Sequence, residues 1–217
     1  MLGGDRRRLE LAYSLMYTLP GTPVLRYGDE IAMGDDLALP ERNCARTPMQ
    51  WSTEPNAGFT KHAKPKNPVI DKGPYGYDHV NVAMQRRDPH SMLNWTERMI
   101  RMRKEVPEVG WGDFVIFPTR NPAVLAIRYD WRNNSVLFVH NLDEKPVEVS
   151  FAVGLKTEQD EHLINLLTED HSHADAKGRH HLMLEAYAYC WYRVGGLDYL
   201  LKRSDVDSKT TGNKHPG

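Results

Sequence analysis

Downstream of Gly110 the chain changes texture, and this change constrains its architecture more than any other feature. Short apolar runs recur at residues 114–117, 124–129, 136–140, 147–151, 163–167, 181–184 and 189–194. Runs of this length, rich in β-branched and aromatic residues and separated by turn formers, read as strands; about seven of them suggest an antiparallel sandwich. Asn133-Asn134 between the second and third runs is a hairpin signal. A domain boundary is therefore predicted near Val109. Residues 1–108 form one part, 109–195 a β-sandwich domain, and the Lys-, Ser-, Asp- and Gly-rich residues 196–217 a flexible tail.

The first part reads differently. Asp5 can cap a helix whose apolar residues Leu9, Leu11, Tyr13, Leu15, Met16 and Leu19 cover more than one face, which predicts burial on most sides; Pro20-Gly21 ends it. Residues 22–27 read as a strand closed by Gly28. From Asp29 to about His90 periodicity disappears among Pro, Gly, Asn and Asp. A loop of roughly 60 residues is far longer than ordinary connections, and Trp51, Phe59, Tyr75 and Tyr77 argue that it is ordered and functional. Periodicity returns with Ser91 as N-cap and Met92, Leu93, Thr96, Met99 and Ile100 on one helical face, ending before Pro107.

With 28 Lys and Arg against 29 Asp and Glu, the net charge of −1 offers no long-range attraction to nucleic acid or anionic lipid. Cys44 and Cys190 stand in no metal-ligand or CxxC spacing, so free thiols in a reducing compartment are expected. The amino-terminal residues lack the apolar run of a secretory signal, and no window approaches the ~20 apolar residues of a membrane span. A cytoplasmic protein without cofactor or metal is expected.

Several motifs carry a resemblance: GDRRRLELA at residues 4–12, LPGTPVL at 19–25, YGDEI at 27–31, RTPMQW at 46–51, NAGF at 56–59, VNV at 80–82, DHS at 170–172 and YCWYRVG at 189–195. Together they resemble the C-terminal third of the α-amylase superfamily of glycoside hydrolases, and within it the trehalose synthase and oligo-1,6-glucosidase group. The resemblance implies an α/β plus all-β chain. It would be a C-terminal fragment of a TIM (β/α)8 barrel, with helix 7, strand 8 at residues 22–27, the long loop and helix 8, followed by the β-sandwich. The family's nucleophile Asp, acid/base Glu and third Asp would lie upstream of Met1, so the chain is expected to be truncated and to lack catalytic residues. Arg46, Gln50 and Trp51 would line the substrate site of the complete enzyme, whose partner is an α-glucoside such as maltose or trehalose. A second copy of the chain or a separately made N-terminal half is a possible protein partner.

Other candidates have plainer readings. Asp29-Glu30 and Asp35-Asp36 are paired carboxylates, but neighbours on an extended segment point to opposite sides. Ion pairing to Arg26 or Arg42 is the expected use. His171, His173, His180 and His181 are dense enough for zinc, yet without a carboxylate or cysteine at ligand spacing they read as a hairpin loop of solvated histidines. Trp111, Trp131 and Trp191 would stack on sugar if coplanar and exposed, the mark of a stand-alone carbohydrate-binding or docking module; packing roles are expected instead.

Overall fold

The computed structural model describes residues 2–155 and 161–195. The tail expected over 196–217 lies outside the described residues. Two compact units are present, one combining residues up to Gly21 with those from Met102 onward, the other spanning Thr22–Arg101. Helix α1 (Arg6–Thr18) thus belongs to the same unit as the β-strands, although the sequence groups it with residues 1–108.

The first unit is built on a six-stranded antiparallel sheet and a two-stranded one. The strands are β1 (Asp113–Phe117), β2 (Val124–Trp131), β3 (Asn134–Asn141), β4 (Val147–Phe151), β5 (His162–Asn165), β6 (Ser172–His173), β7 (His180–Leu184) and β8 (Tyr189–Val194). The larger sheet runs β1-β2-β3-β8-β5-β6, and β4 pairs with β7. The expected hairpin joins β2 to β3, with Trp131 opposite Asn134. Its two turn residues are Arg132, at φ 49°, and Asn133. The two-residue β6 gave no sequence signal.

Alternation decides what each strand buries. Leu137 and Val139 of β3, Ala126 of β2 and Tyr192 and Val194 of β8 pack with Val149, Phe151, Leu182 and Leu184 from β4 and β7. The opposite face of the large sheet is covered by helix. Ser14 Oγ lies 2.9 Å from His140 Nε2, Trp191 Nε1 donates to Ser14 Oγ at 2.8 Å, and the Tyr129 hydroxyl donates to the Thr18 carbonyl at 2.8 Å. Phe138 meets Trp191 edge-on, centroids 5.2 Å apart at 87°, a geometry worth about 1 kcal/mol beyond area burial. Helix α4 (Glu108–Trp111) adds a buried ion pair, Arg193 Nη1 to Glu108 Oε1 at 2.7 Å. With both faces covered, β3 is buried along almost its whole length, while β7 alternates buried and exposed.

Burial of α1 is narrower than expected. Asp5 caps it as predicted, its carboxylate accepting from the Arg7 N–H, but only Leu11, Ser14, Tyr17 and Thr18 are buried. Leu19 is exposed. On this face the buried Ser14 and Thr18 hydroxyls meet His140 Nε2, and Ser14 Oγ also accepts from Trp191 Nε1.

The second unit contains no strand among its described residues. Residues 22–27, expected as a strand, join no ladder among the described residues: 22–26 are irregular and Tyr27 opens a turn, and Val24 is 79% exposed. A strand exists only as a member of a ladder, and no neighbour pairs with this one. The long loop folds instead around a small core of Ile31, Met33, Met49 and Val82, with Val80 and Leu93 against it. Short 3-10 turns at Asp29–Ile31, Glu41–Ala45 and Pro55–Gly58 and helix α2 (Val82–Gln85) punctuate it. Helix α3 (Met92–Lys104) buries Met92, Trp95, Thr96 and Met99; of the predicted face Leu93 and Ile100 are only half-buried, and Trp95 joins it. No helix among the described residues is long and apolar enough to cross a membrane.

Candidate functional site

The RTPMQW segment is held by its own unit. Thr47, Pro48, Met49 and Gln50 are buried, while Arg46 and Trp51 on either side are exposed. Gln50 Nε2 donates to the Tyr75 carbonyl at 3.0 Å and the Val80 carbonyl at 2.5 Å. The Gln50 carbonyl accepts from Val82 N–H and the Trp51 carbonyl from Ala83 N–H, both at 3.0 Å. Gln50 has no exposed surface, so its amide fastens the loop and does not reach solvent.

NAGF explains the other side of the loop. Asn56, Ala57 and Gly58 all have left-handed backbones, with φ of 55°, 58° and 67°. Such a run suits Asn and Gly and is strained for Ala by about 1–2 kcal/mol. The Ala57 carbonyl accepts from Trp51 N–H at 2.9 Å and Ser52 N–H at 3.1 Å, and Asn56 Nδ2 donates to the Thr60 and His62 carbonyls. Ala57 is fully buried, and a Cβ on Gly58 would stand 2.5 Å from Ser52 Oγ. Phe59 emerges from this spiral nearly half exposed.

Between the two motifs lies a concavity of about 180 Å³ lined by Tyr27, Arg46, Pro48, Phe59, Pro65, Lys66 and Asn67. Tyr27 is fixed by its hydroxyl donating to the Thr47 carbonyl at 2.9 Å. The Arg46 guanidinium has no hydrogen-bond or ion-pair partner among the described residues. The site offers two cations, a phenol, an amide and an apolar ring face, a set suited to sugar hydroxyls or an anion. Neither Gln50 nor Trp51 lines it. Tyr27, Lys66 and Asn67 were not singled out from sequence; Tyr27 read as the end of a strand, and nothing marked the other two.

The remaining candidates fall to structural uses. Arg26 pairs with Asp29 at 3.4 Å and Asp35 at 3.6 Å, and it donates to the Ala45 carbonyl. Gly28 N–H donates to Glu30 Oε2 at 2.6 Å. These carboxylates anchor the segment after residue 27 as expected. Trp191 is fully buried and Trp131 carries the Arg132 guanidinium 4.3 Å from its ring centroid, so the three tryptophans do not form an open stacking platform. The solvated histidine loop needs correcting: His180 is fully buried, with Ser172 Oγ 3.0 Å from its Nδ1, because β7 alternation turns it into the core.

Residues 1–112 match the family described as alpha amylase, catalytic domain. The chain belongs to the alpha-amylase family. Residues 134–193 match the sucrose hydrolase-like C-terminal domain. Trehalose synthase of Thermus thermophilus is 36% identical over 211 residues, covering 95% of this chain and 22% of that protein. Trehalose synthase of Pimelobacter is 35% identical over 204 residues, covering 91% and 35%. The crystal structure of trehalulose synthase MutB from Pseudomonas mesoacidophila MX-45 superposes with a TM-score of 0.69 at 24% identity, covering 89% of this chain and 40% of that one, which supports a shared fold. The chain thus spans between about a fifth and two fifths of the length of these relatives.

Proposed function

We propose that this chain is the C-terminal portion of an α-glucoside-acting enzyme and does not turn over substrate alone. The observation that carries the reading is the makeup of the Arg46 concavity: none of its lining residues is a carboxylate. Retaining glycoside cleavage needs two carboxyl groups about 5–5.5 Å apart, one forming the glycosyl-enzyme bond and the other passing the proton. The adjoining cavity at Ser52–Lys61 contributes one, Glu54. In this reading Arg46 and Trp51 present binding surface to a glucose unit of maltose or trehalose, and Gln50 sets their spacing from behind. The carboxylates come from a portion that this chain lacks. Isomerase and hydrolase activity are both compatible with that wall.

The purified chain is expected to release no glucose from maltose and no phenol from an aryl α-glucoside above blank. Co-expression with the N-terminal portion of a trehalose synthase is expected to restore turnover, with Arg46→Ala lowering it by about tenfold or more. Turnover by the isolated chain that Arg46→Ala abolishes would overturn the proposal.

A further inference from the structure

We propose that the cross-strand pair His162 and His173 chelates a divalent transition cation of tetragonal preference, such as copper(II) or nickel(II). The site belongs to the β-sheet unit and shares no residue with the Arg46 concavity. It stands whether or not the chain is part of a glucoside enzyme.

Strands β5 and β6 bring the two histidines together. His162 lies directly opposite His173 in the register. One step further out, the Ala174 N–H donates to the Glu161 carbonyl at 2.9 Å, so the histidines occupy a non-hydrogen-bonded position, where facing side chains approach most closely. Their Nδ1 atoms are 2.8 Å apart, and their rings stand at 89° with centroids separated by 4.8 Å. Both rings line a cavity of about 540 Å³ that also contains Glu161 and Asp175.

Two facing Nδ1 atoms make a demanding contact. A neutral imidazole has one donor nitrogen and one acceptor nitrogen, so one ring must donate here while the other accepts. A cation that accepts both lone pairs removes this requirement. Two nitrogens bound about 2.0 Å from one ion at a right angle lie about 2.8 Å apart, whereas a tetrahedral angle separates them by about 3.3 Å. The 2.8 Å spacing found here is that of cis ligands in a tetragonal site.

Two nitrogens are what the described residues supply. Among the described residues no three His, Cys, Asp or Glu side chains gather as a ligand set, and the proposal rests on the two imidazoles. Asp175 stays a neighbour: its carboxylate accepts from the Lys177 and Arg179 N–H groups and lies 3.1 Å from His181 Nε2. Its negative charge favours a cation in the cavity without a bond to it. The sequence reading grouped His171, His173, His180 and His181 and missed His162, because the pairing depends on register across β5 and β6.

The test uses the untagged full chain, titrated with copper(II) in a non-chelating buffer near pH 7.5. Electron paramagnetic resonance is expected to show one tetragonal copper per chain with hyperfine coupling to two imidazole nitrogens. H162N and H173N are each expected to weaken binding by about tenfold or more, and H62N, at an exposed loop histidine, to leave it unchanged. Nickel(II) should raise the melting temperature of the wild type and not that of H173N. A wild-type spectrum reporting one imidazole nitrogen or none would overturn the site whatever the folding of the variants. Wild-type affinity in a folded H162N or H173N would do the same.

Discussion

His140 sits at the end of β3 with no exposed surface, its Nε2 2.9 Å from Ser14 Oγ and 3.4 Å from Thr18 Oγ1. Burial disfavours its charged form and pulls its pKa from 6.5 down to about 4, partly offset by the polar Leu125 backbone alongside. The unfolded chain titrates this histidine near 6.5, so between pH 6.5 and 4 it binds a proton that the folded chain refuses. Stability is therefore fully retained above pH 6.5 and falls as pH drops toward 4. Lowering the pKa from 6.5 to about 4 corresponds to about 3 kcal/mol once acidification is complete, and to about 2 kcal/mol near pH 5. The perturbation is His140→Gln, which keeps a polar end near Ser14 and removes the titration. Urea unfolding followed by tryptophan fluorescence, to which Trp191, buried on the same sheet face, contributes, would be measured from pH 7.5 to 4.5. The wild type should lose about 2 kcal/mol more than the variant between pH 7 and pH 5. Parallel stability curves for the two proteins would show that His140 accepts its proton without resistance, and the burial argument would fail.

Gln50→Ala strips the part-buried Tyr75 and Val80 carbonyls of their side-chain donor and should cost about 1–3 kcal/mol. Hydrogen exchange at Val82, whose N–H bonds the Gln50 carbonyl, should accelerate, and unchanged protection would mean that the loop is held elsewhere. Gly112→Ala should destabilise by about 1–3 kcal/mol, because its Cβ would stand 2.7 Å from the Glu108 carbonyl oxygen and 2.8 Å from that of Asp130. Gly110→Ala, which meets nothing within 4 Å, should be neutral or slightly stabilising; equal melting temperatures for the two variants would refute the steric account.

Local signals carried well where the chain satisfies itself. Asp5 caps α1 and Ser91 precedes α3 because capping is settled within a turn. Each of the seven predicted runs lies wholly or largely within a strand, since period-2 patterning records which face is buried. The unbroken apolarity of β3 hinted at cover on both sides, but the cover on one side is α1, a helix more than 100 residues earlier. Residues 22–27 failed for the complementary reason: their strand-like composition cannot substitute for a ladder partner. At the site, the RTPMQW and NAGF motifs marked Arg46 and the Phe59 turn. Gln50 belongs to the same motif, yet its role rests on carbonyls of Tyr75 and Val80, 25 and 30 residues away.

By itself, then, the sequence determined the family, the series of short strands downstream of Gly110 and the helix caps, whose geometry is local, and it placed the β2–β3 hairpin signal at Asn133-Asn134, one residue beyond the turn that forms. Only the tertiary structure decided that Gln50 faces inward, that His180 is core and that His162 meets His173. These outcomes depend on which elements become neighbours, and neighbours are chosen by burying complementary faces of segments far apart in the chain, a choice that no local pattern encodes.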